Sequence, residues 1–273
     1  MDHQPPADAP EARLDPELVE LVRRLWAPAP PSRRGPKAHL SVERIVDAAL
    51  ALADAEGLAA VSMARLGKAL GVSPMALYRH VGSKDELLVH LTDRVAADLP
   101  ALPSEGAWRE RMERWMRVQI DLAVRRPWFL DLPLSTVMPG PHRLRWIDEA
   151  FAILADLPLS ADEKFGIIGL LAQHVLGESR VQIEAARAGG QPYEDLAVML
   201  GQFADPAHYP HLHAAFAGPT ATVPETSDPE DDIAFGIHVV LDGVEAYVAR
   251  RSASEPVRGA RHADAHDERD ERP

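Results

Sequence analysis

Residues 62–84 read SMARLGKALGVSPMALYRHVGSK, two short helical segments punctuated at every end. Ser62 is a capping residue, and the segment it opens runs to Leu70, where Gly71 supplies the left-handed terminator. Ser73-Pro74 is a cap followed by proline in the first turn, and the second segment stops at Gly82. A reversal within Gly71-Val72-Ser73 requires a glycine, so the pair forms a helix-turn-helix. Leu66, Leu70, Val72 and Leu77 face inward and set the crossing angle. Pro74, Met75, Tyr78, Arg79 and His80 are left on the outer face of the second helix. A short exposed helix carrying hydroxyl and cationic groups has the geometry of a major-groove reader. The same pattern also fits an ordinary helical hairpin with a solvated face.

The punctuation continues outward. Ser41 caps a helix whose Ile45, Val46, Ala49, Leu50 and Ala53 share one face, and Gly57 ends it. Ser83-Lys84-Asp85-Glu86 is a capping box that launches a helix to about Leu99. Trp108–Arg125 and His142–Ala155 are the next helices, each closed near a proline. Ser160-Ala161-Asp162-Glu163 is a second capping box, opening a long helix that runs to Gly189-Gly190. A short helix from Pro192 to Phe203 precedes a His- and Pro-rich loop at Asp205–Ser227. Asp228-Pro229 begins the last helix, with Ile233, Ile237, Val240, Leu241, Val244 and Val248 in a regular stripe. Ahead of all these, Asp15-Pro16 opens a short helix bearing Leu18, Leu21, Val22, Leu25 and Trp26. The proline-rich stretch 27–31 ends it as a stiff linker. The first dozen residues and the tail from Ser254 have no apolar periodicity and are expected to be disordered.

Composition sets the class. Of 273 residues, 46% are apolar, 26% charged and 5% aromatic, which suits a globular core. Ala and Leu dominate and no alternating strand pattern occurs, so the expected fold is all-α. The chain has no cysteine, which excludes disulfides, Cys-ligated zinc, iron–sulfur clusters and thiol catalysis. No apolar run reaches membrane-spanning length, and a cytoplasmic location is expected. Phosphate-binding loops, nucleophile elbows and HExxH are absent, so no enzyme activity and no cofactor or metal is expected. The net charge of −13 argues against general polyanion binding, yet it is unevenly placed. Residues 33–84 hold eight Lys or Arg against four acids, whereas the chain beyond 98 is strongly acidic. A small basic unit joined to a large acidic one implies two tasks on one chain.

The wording of residues 40–90 goes further. Leu70-Gly71-Val72-Ser73, Leu77-Tyr78-Arg79-His80-Val81 and Lys84-Asp85-Glu86-Leu87-Leu88 closely resemble the DNA-binding domain of the tetracycline-repressor (TetR) family. Ile45-Val46-Asp47-Ala48-Ala49 and Glu56-Gly57-Leu58 match that family's first helix and its stop. Near the other end, Phe235-Gly236-Ile237 and Leu241-Asp242-Gly243-Val244-Glu245 resemble the ligand-binding domain of the tetracycline-repressor branch. The resemblance implies an N-terminal helix-turn-helix DNA-binding domain at 37–98 and a larger helical ligand-binding and dimerisation domain at 99–253. Residues 1–36 form an extension and 254–273 a tail. It further implies a transcriptional regulator, with a homodimeric repressor released by a small molecule as the expectation. An activator of the same family, or a helical enzyme or carrier with a fortuitous helix-turn-helix, are the alternatives.

Roles follow from the resemblance residue by residue. Tyr78, His80 and Lys84 stand where the family contacts phosphates, Lys84 adding its charge to a helix N-terminus. Pro74, Met75 and Ala76, opened by the Ser73 cap, stand where base edges are read, with thymine methyls as the available partners. Arg79 adds a cation to the same helix. Ser62 and Met63 begin the preceding helix, whose amides can face a phosphate. Two positions depart from the pattern. Ala64 replaces a base-reading arginine of some members, and Gly67 replaces the usual alanine, loosening its helix by about 1 kcal/mol. Arg33, Arg34 and Lys37 form a basic arm that can enter the minor groove or serve as a solubilising linker.

For a small-molecule effector, of hydrophobic character, the aromatic set Trp108, Trp128, Trp146 and Phe151 offers a lining, with Gln173 and His174 as polar groups. Trp115, Phe129 and Phe165 belong to the same aromatic population, most of which plain core packing explains better than a cavity, and the sequence does not separate the two. Glu178 and Gln182 share the long helix with His174. His208, His211 and His213 are numerous enough for a metal cluster but have no helix or strand to frame them, so a loop is expected. The two long helices, Ser160–Ala188 and Asp228–Arg250, are expected to pair with a second copy as a four-helix bundle. Gly166, Gly169, Gly177, Gly236 and Gly243 would permit close approach there. A two-fold reader needs its recognition helices about 34–36 Å apart.

Overall fold

The computed structural model describes residues 16–26, 40–132, 140–188, 194–217 and 229–254. Among these residues every regular element is helical, in the order α1 Pro16–Trp26, α2 Val42–Glu56, α3 Met63–Leu70, α4 Pro74–Val81, α5 Lys84–Ala96, α6 Trp108–Arg125, α7 Pro141–Ile153, α8 Ala161–Ala188, α9 Glu194–Phe203, α10 Pro210–Ala217 and α11 Pro229–Ser254. The all-α expectation holds.

Side-chain caps start the N-terminal helices where their serines stand. Ser41, Ser62, Ser73 and Ser83 accept from the amides of Arg44, Arg65, Ala76 and Glu86, each satisfying a donor the helix itself leaves open. Gly71 takes φ 70° and ψ 31°, the left-handed turn that lets α4 reverse against α3. Gly67 needs a correction. A Cβ there would lie 2.7 Å from the Val72 carbonyl oxygen. The missing methyl therefore does more than loosen α3: it lets the turn close onto the helix.

Two hydrophobic clusters hold the molecule together. The first gathers Ile45, Val46, Ala49, Leu50 and Ala53 of α2 with Leu66, Leu77, Leu87 and Leu91. It is completed from beyond residue 99, by Leu122 of α6 and by Trp128 and Leu132 at the 3-10 turn Pro127–Asp131. The second cluster packs Met112, Trp115 and Met116 of α6 against Trp146 and Ala150 of α7, Leu171 and Val175 of α8, and Ile237 and Leu241 of α11. Helix α6 thus serves both cores, one at each end.

Several boundaries differ from the sequence reading. Helix α5 ends at Ala96, and the chain continues to Leu99 through i→i+3 bonds such as Leu99 N to Ala96 O. The stretch expected to be a loop after Asp205 contains helix α10. At the α8 start the full capping box forms: the Glu163 amide donates to Ser160 Oγ, and the Ser160 amide donates to Glu163 Oε2. At the α5 start only half of it forms. The Glu86 carboxylate turns instead to Arg24 of α1, which grips both oxygens at 2.9 Å. Residues 27–39 and 255–273 lie outside the described residues.

Polar clasps join the helix-turn-helix unit to the rest. Arg126 donates to Asp54 of α2 at 3.1 Å and to Asp98 at 2.6 Å. The Trp128 indole N–H also donates to Asp54. Arg94 of α5 links Asp47 of α2 with Asp98, and that pair of guanidinium partners holds the Asp98 carboxyl below its ordinary range against the opposing cost of its burial.

Candidate functional site

The outer face of α4 presents a compact set of side chains. Met75 is 65% exposed and Tyr78 43%, so both side chains offer contact surface on this face. Pro74, Arg79 and His80 are exposed beside them, and Lys84 is exposed at the first turn of α5. Leu77 and Val81 are fully buried on the opposite side and hold the helix against the first core. Of the residues singled out in the sequence, Pro74, Met75, Tyr78, Arg79, His80 and Lys84 are therefore exposed, whereas Ser62 is half-buried with its hydroxyl oxygen spent on the α3 cap, and three more differ. Met63 is buried in the first core, so only its backbone can belong to the surface. Ala76 is half-buried. Ser73 spends its hydroxyl oxygen on the α4 cap. Arg65, on α3, pairs with Glu56, which raises its pKa and lowers that of Glu56 through their hydrogen bond. Arg33, Arg34 and Lys37 lie outside the described residues.

A second feature lies between α5, α6, α7 and α8: a cavity of about 310 Å³. From α6 it is lined by Trp115, Gln119, Leu122 and Ala123; from α7 by Arg143, Trp146 and Ile147; from α8 by Phe165, Ala172, Gln173, Leu176 and Ser179, among others. Thr92 and Ala96 of α5 close one side, so the helix that carries Lys84 at its start also walls the cavity. Trp115 and Trp146 stack with ring centroids 6.1 Å apart and planes 12° from parallel. The Trp115 indole donates to the Trp146 carbonyl.

This cavity divides the set of residues read from the sequence as an effector lining. Trp146 and Gln173 line it, whereas Trp108, Trp128, Phe151 and His174 do not. Trp128 belongs to the first core. Trp108 and Phe151 pack against the second. His174 faces α11, where a Cβ on Gly236 would lie 3.0 Å from its ring. Gly236 thus makes room for a histidine of its own chain. The α6 lining was missed in the sequence, although Trp115, Gln119, Leu122 and Ala123 recur at helical spacing on one face, the signal that could have found it. Arg143 carried no signal: a lone arginine in a polar stretch looks solvent-facing. Burial nevertheless pushes its guanidinium pKa down, against the raising effect of the nearby Asp93 charge.

Among the described residues no group of three or more His, Cys, Asp or Glu side chains is placed to hold a metal ion. His208 pairs with Asp205 and His213 with the Ala204 carbonyl. Among the same residues no helix is long and apolar enough to cross a membrane.

Helix α8 has a further face. Leu170 and Val181 are exposed, and beside Gly166 and Gly177 nothing approaches within 4 Å; all four fall on one stripe at helical spacing. On α11, Phe235 is 71% and Val239 53% exposed.

Comparison with known proteins places this architecture. The sequence model for the TetR family of bacterial regulatory proteins matches residues 45–91, and that for the tetracyclin repressor-like C-terminal domain matches residues 99–248. The transcriptional repressor DrrR1 of Streptomyces coeruleorubidus is 31% identical over 245 residues, spanning 86% of this chain and 88% of the relative. The repressor Rv1353c of Mycobacterium tuberculosis is 28% identical over 221 residues, covering 77% and 82% of the two chains. Among solved structures, the TetR family protein ActR of Streptomyces coelicolor, in complex with actinorhodin, superposes with a TM-score of 0.64 at 26% identity. That match covers 77% of this chain and 99% of the other. With both domains matched and a repressor similar over most of its length, the chain belongs to the TetR family of DNA-binding transcriptional regulators.

Proposed function

We propose that the protein is a cytoplasmic homodimeric repressor that leaves its operator when a small molecule enters the cavity. One observation carries this reading: α5 begins at the α4 surface with Lys84 and, within the same helix, walls the cavity with Thr92 and Ala96. A ligand that fits the cavity only after α5 has shifted pulls the population away from the DNA-bound arrangement by its differential affinity. Tyr78, His80 and Lys84 hold phosphates, and Met75 with Pro74 and Ala76 reads base edges. One short helix reads too few bases for useful specificity, so two copies are required. The apolar stripes of α8 and α11, with open space beside Gly166, Gly177 and Gly243, supply a two-fold contact as a four-helix bundle. That ActR is solved in complex with actinorhodin supports a ligand for this chain as well.

The test is fluorescence anisotropy with duplex DNA from the region upstream of the protein's own coding sequence. Saturable binding that competes poorly with scrambled duplex, two protomers per duplex, and release by a cavity ligand are expected. Binding that does not distinguish the two duplexes contradicts the reading. A promoter-reporter assay separates repression from activation.

A further inference from the structure

Most polar groups on the cavity wall have spent their donors inside the protein. Thr92 Oγ1 donates to the Leu88 carbonyl and Ser179 Oγ to the Val175 carbonyl, both at 2.7 Å, and both side chains are buried. The Trp115 indole N–H donates to the Trp146 carbonyl at 3.1 Å. The Trp146 indole nitrogen is itself buried without an acceptor, so a ligand in the cavity does not reach it. Arg143 is already engaged within the protein. Gln173 is exposed, and water serves both ends of its amide.

Gln119 of α6 differs from all of these. It is half-buried on the cavity wall, and its Nε2 donates to the Trp115 carbonyl at 2.8 Å. A carbonyl can only accept, so that bond fixes which end of the amide is nitrogen and leaves Oε1 as a pure acceptor. Among the described residues no donor meets Gln119 Oε1. An amide oxygen on an apolar wall favours a ligand that brings it a donor and penalises one that covers it without.

We infer that Gln119 selects the effector's chemical class: a planar aromatic body lying among Trp115, Trp146, Phe129 and Phe165, with a hydroxyl that donates to Gln119 Oε1. This inference rests on reading the cavity as the effector site. An aromatic without an O–H or N–H would fill the same volume and bury the Gln119 oxygen unpaired. An aliphatic alcohol would supply the donor and forgo the ring contacts.

The experiment is fluorescence titration of the full-length protein with two matched probes, 2-hydroxyanthracene and 2-methoxyanthracene, which differ in the donor. In wild type the hydroxyl probe should bind at least as tightly as the ether, although the ether partitions better into hydrocarbon. That comparison requires no variant to fold. In Gln119→Met, of similar length but without the amide, the affinity ratio should shift about fivefold against the hydroxyl probe, the size of one ordinary hydrogen bond. Ether affinity should stay within about twofold of wild type, which also reports an intact cavity. A wild-type preference for the ether overturns the role of Gln119 while leaving the cavity reading in place. So does a ratio unchanged in Gln119→Met, whether both affinities hold or both fall together, since Gln119 would then only shape the wall. If neither probe binds wild type, the cavity reading and the inference fall together.

Discussion

Asp93 of α5 caps helix α7 at a distance of 50 residues, its Oδ1 accepting from the Arg143 backbone amide at 2.9 Å. The contact is built tightly: a Cβ on Gly140, the residue preceding α7, would lie 2.3 Å from the Asp93 Cγ. Because α7 supplies Arg143 and Trp146 to the cavity, this cap ties a cavity wall to the helix leading to Lys84. Asp93→Ala should lower stability by about 1–2 kcal/mol, the range for a lost helix cap. It should also blunt ligand-driven release more than it weakens DNA binding in the absence of ligand. Urea melts, together with anisotropy titrations with and without ligand, read both quantities.

Arg24 and Glu86 make a second long-range link. Glu86 is only 6% exposed, whereas the Arg24 side chain is 45% exposed. Water therefore screens much of the attraction from the Arg24 side, but removing Arg24 leaves a buried carboxylate short of its donors. Arg24→Ala should destabilise the fold by about 1–2 kcal/mol, and Arg24→Lys, which lacks the fork, should recover only part of it. Denaturant midpoints at constant m check this. An Arg24→Ala midpoint equal to wild type would show that α1 is not anchored by this pair.

The caps, the reversal at Gly71 and the buried face of α2 were legible in the sequence, because each depends on local chemistry: a serine oxygen, a glycine backbone, a 3.6-residue period. The cavity was only half legible. Trp146 and Gln173 were found, but Trp128 could not be told from a lining residue, since an aromatic at a helix end packs into whichever core reaches it. Here the helix-turn-helix unit claims it through Asp54. Arg143 and the Asp93 cap depend on α5 meeting α7, a long-range contact without a sequence signature. The same holds for Glu86, whose capping-box wording predicted a bond to Ser83 that Arg24 takes over.

His90 gives the fold a pH dependence. Burial lowers its pKa from 6.5, opposed by the charges of Glu86, Asp93 and Glu43 and assisted by Arg24. With the folded value depressed, the unfolded chain binds the proton more readily. The contribution is complete above about pH 6.5 and is lost as pH falls below it toward the folded value. His90→Gln should flatten the stability profile below about pH 6.5. Thermal melts across that window, compared with wild type, measure it. Parallel wild-type and variant profiles would count against a neutral buried His90.

The exposed stripes of α8 and α11 predict the assembly. Val239→Arg or Leu170→Glu places a charge where Val239 and Leu170 now stand exposed. Either should shift sedimentation at micromolar concentration from dimer to monomer and reduce operator affinity at least tenfold, the loss expected when one half-site must act alone. A variant that remains dimeric with unchanged DNA affinity would place the interface elsewhere.

On the proposed function, α4 reads sequence while the start of α5 grips the backbone. Lys84 and Met75 should therefore fail differently in a salt titration on operator and scrambled duplexes. Lys84→Ala removes a phosphate contact, so it should weaken both duplexes alike and reduce the salt slope by about 1 per subunit. Met75→Ala removes no charge. It should leave the slope unchanged and cost about 1 kcal/mol per half-site, chiefly on the operator. An unchanged slope for Lys84→Ala, or equal losses on both duplexes for Met75→Ala, would rule out this division of roles.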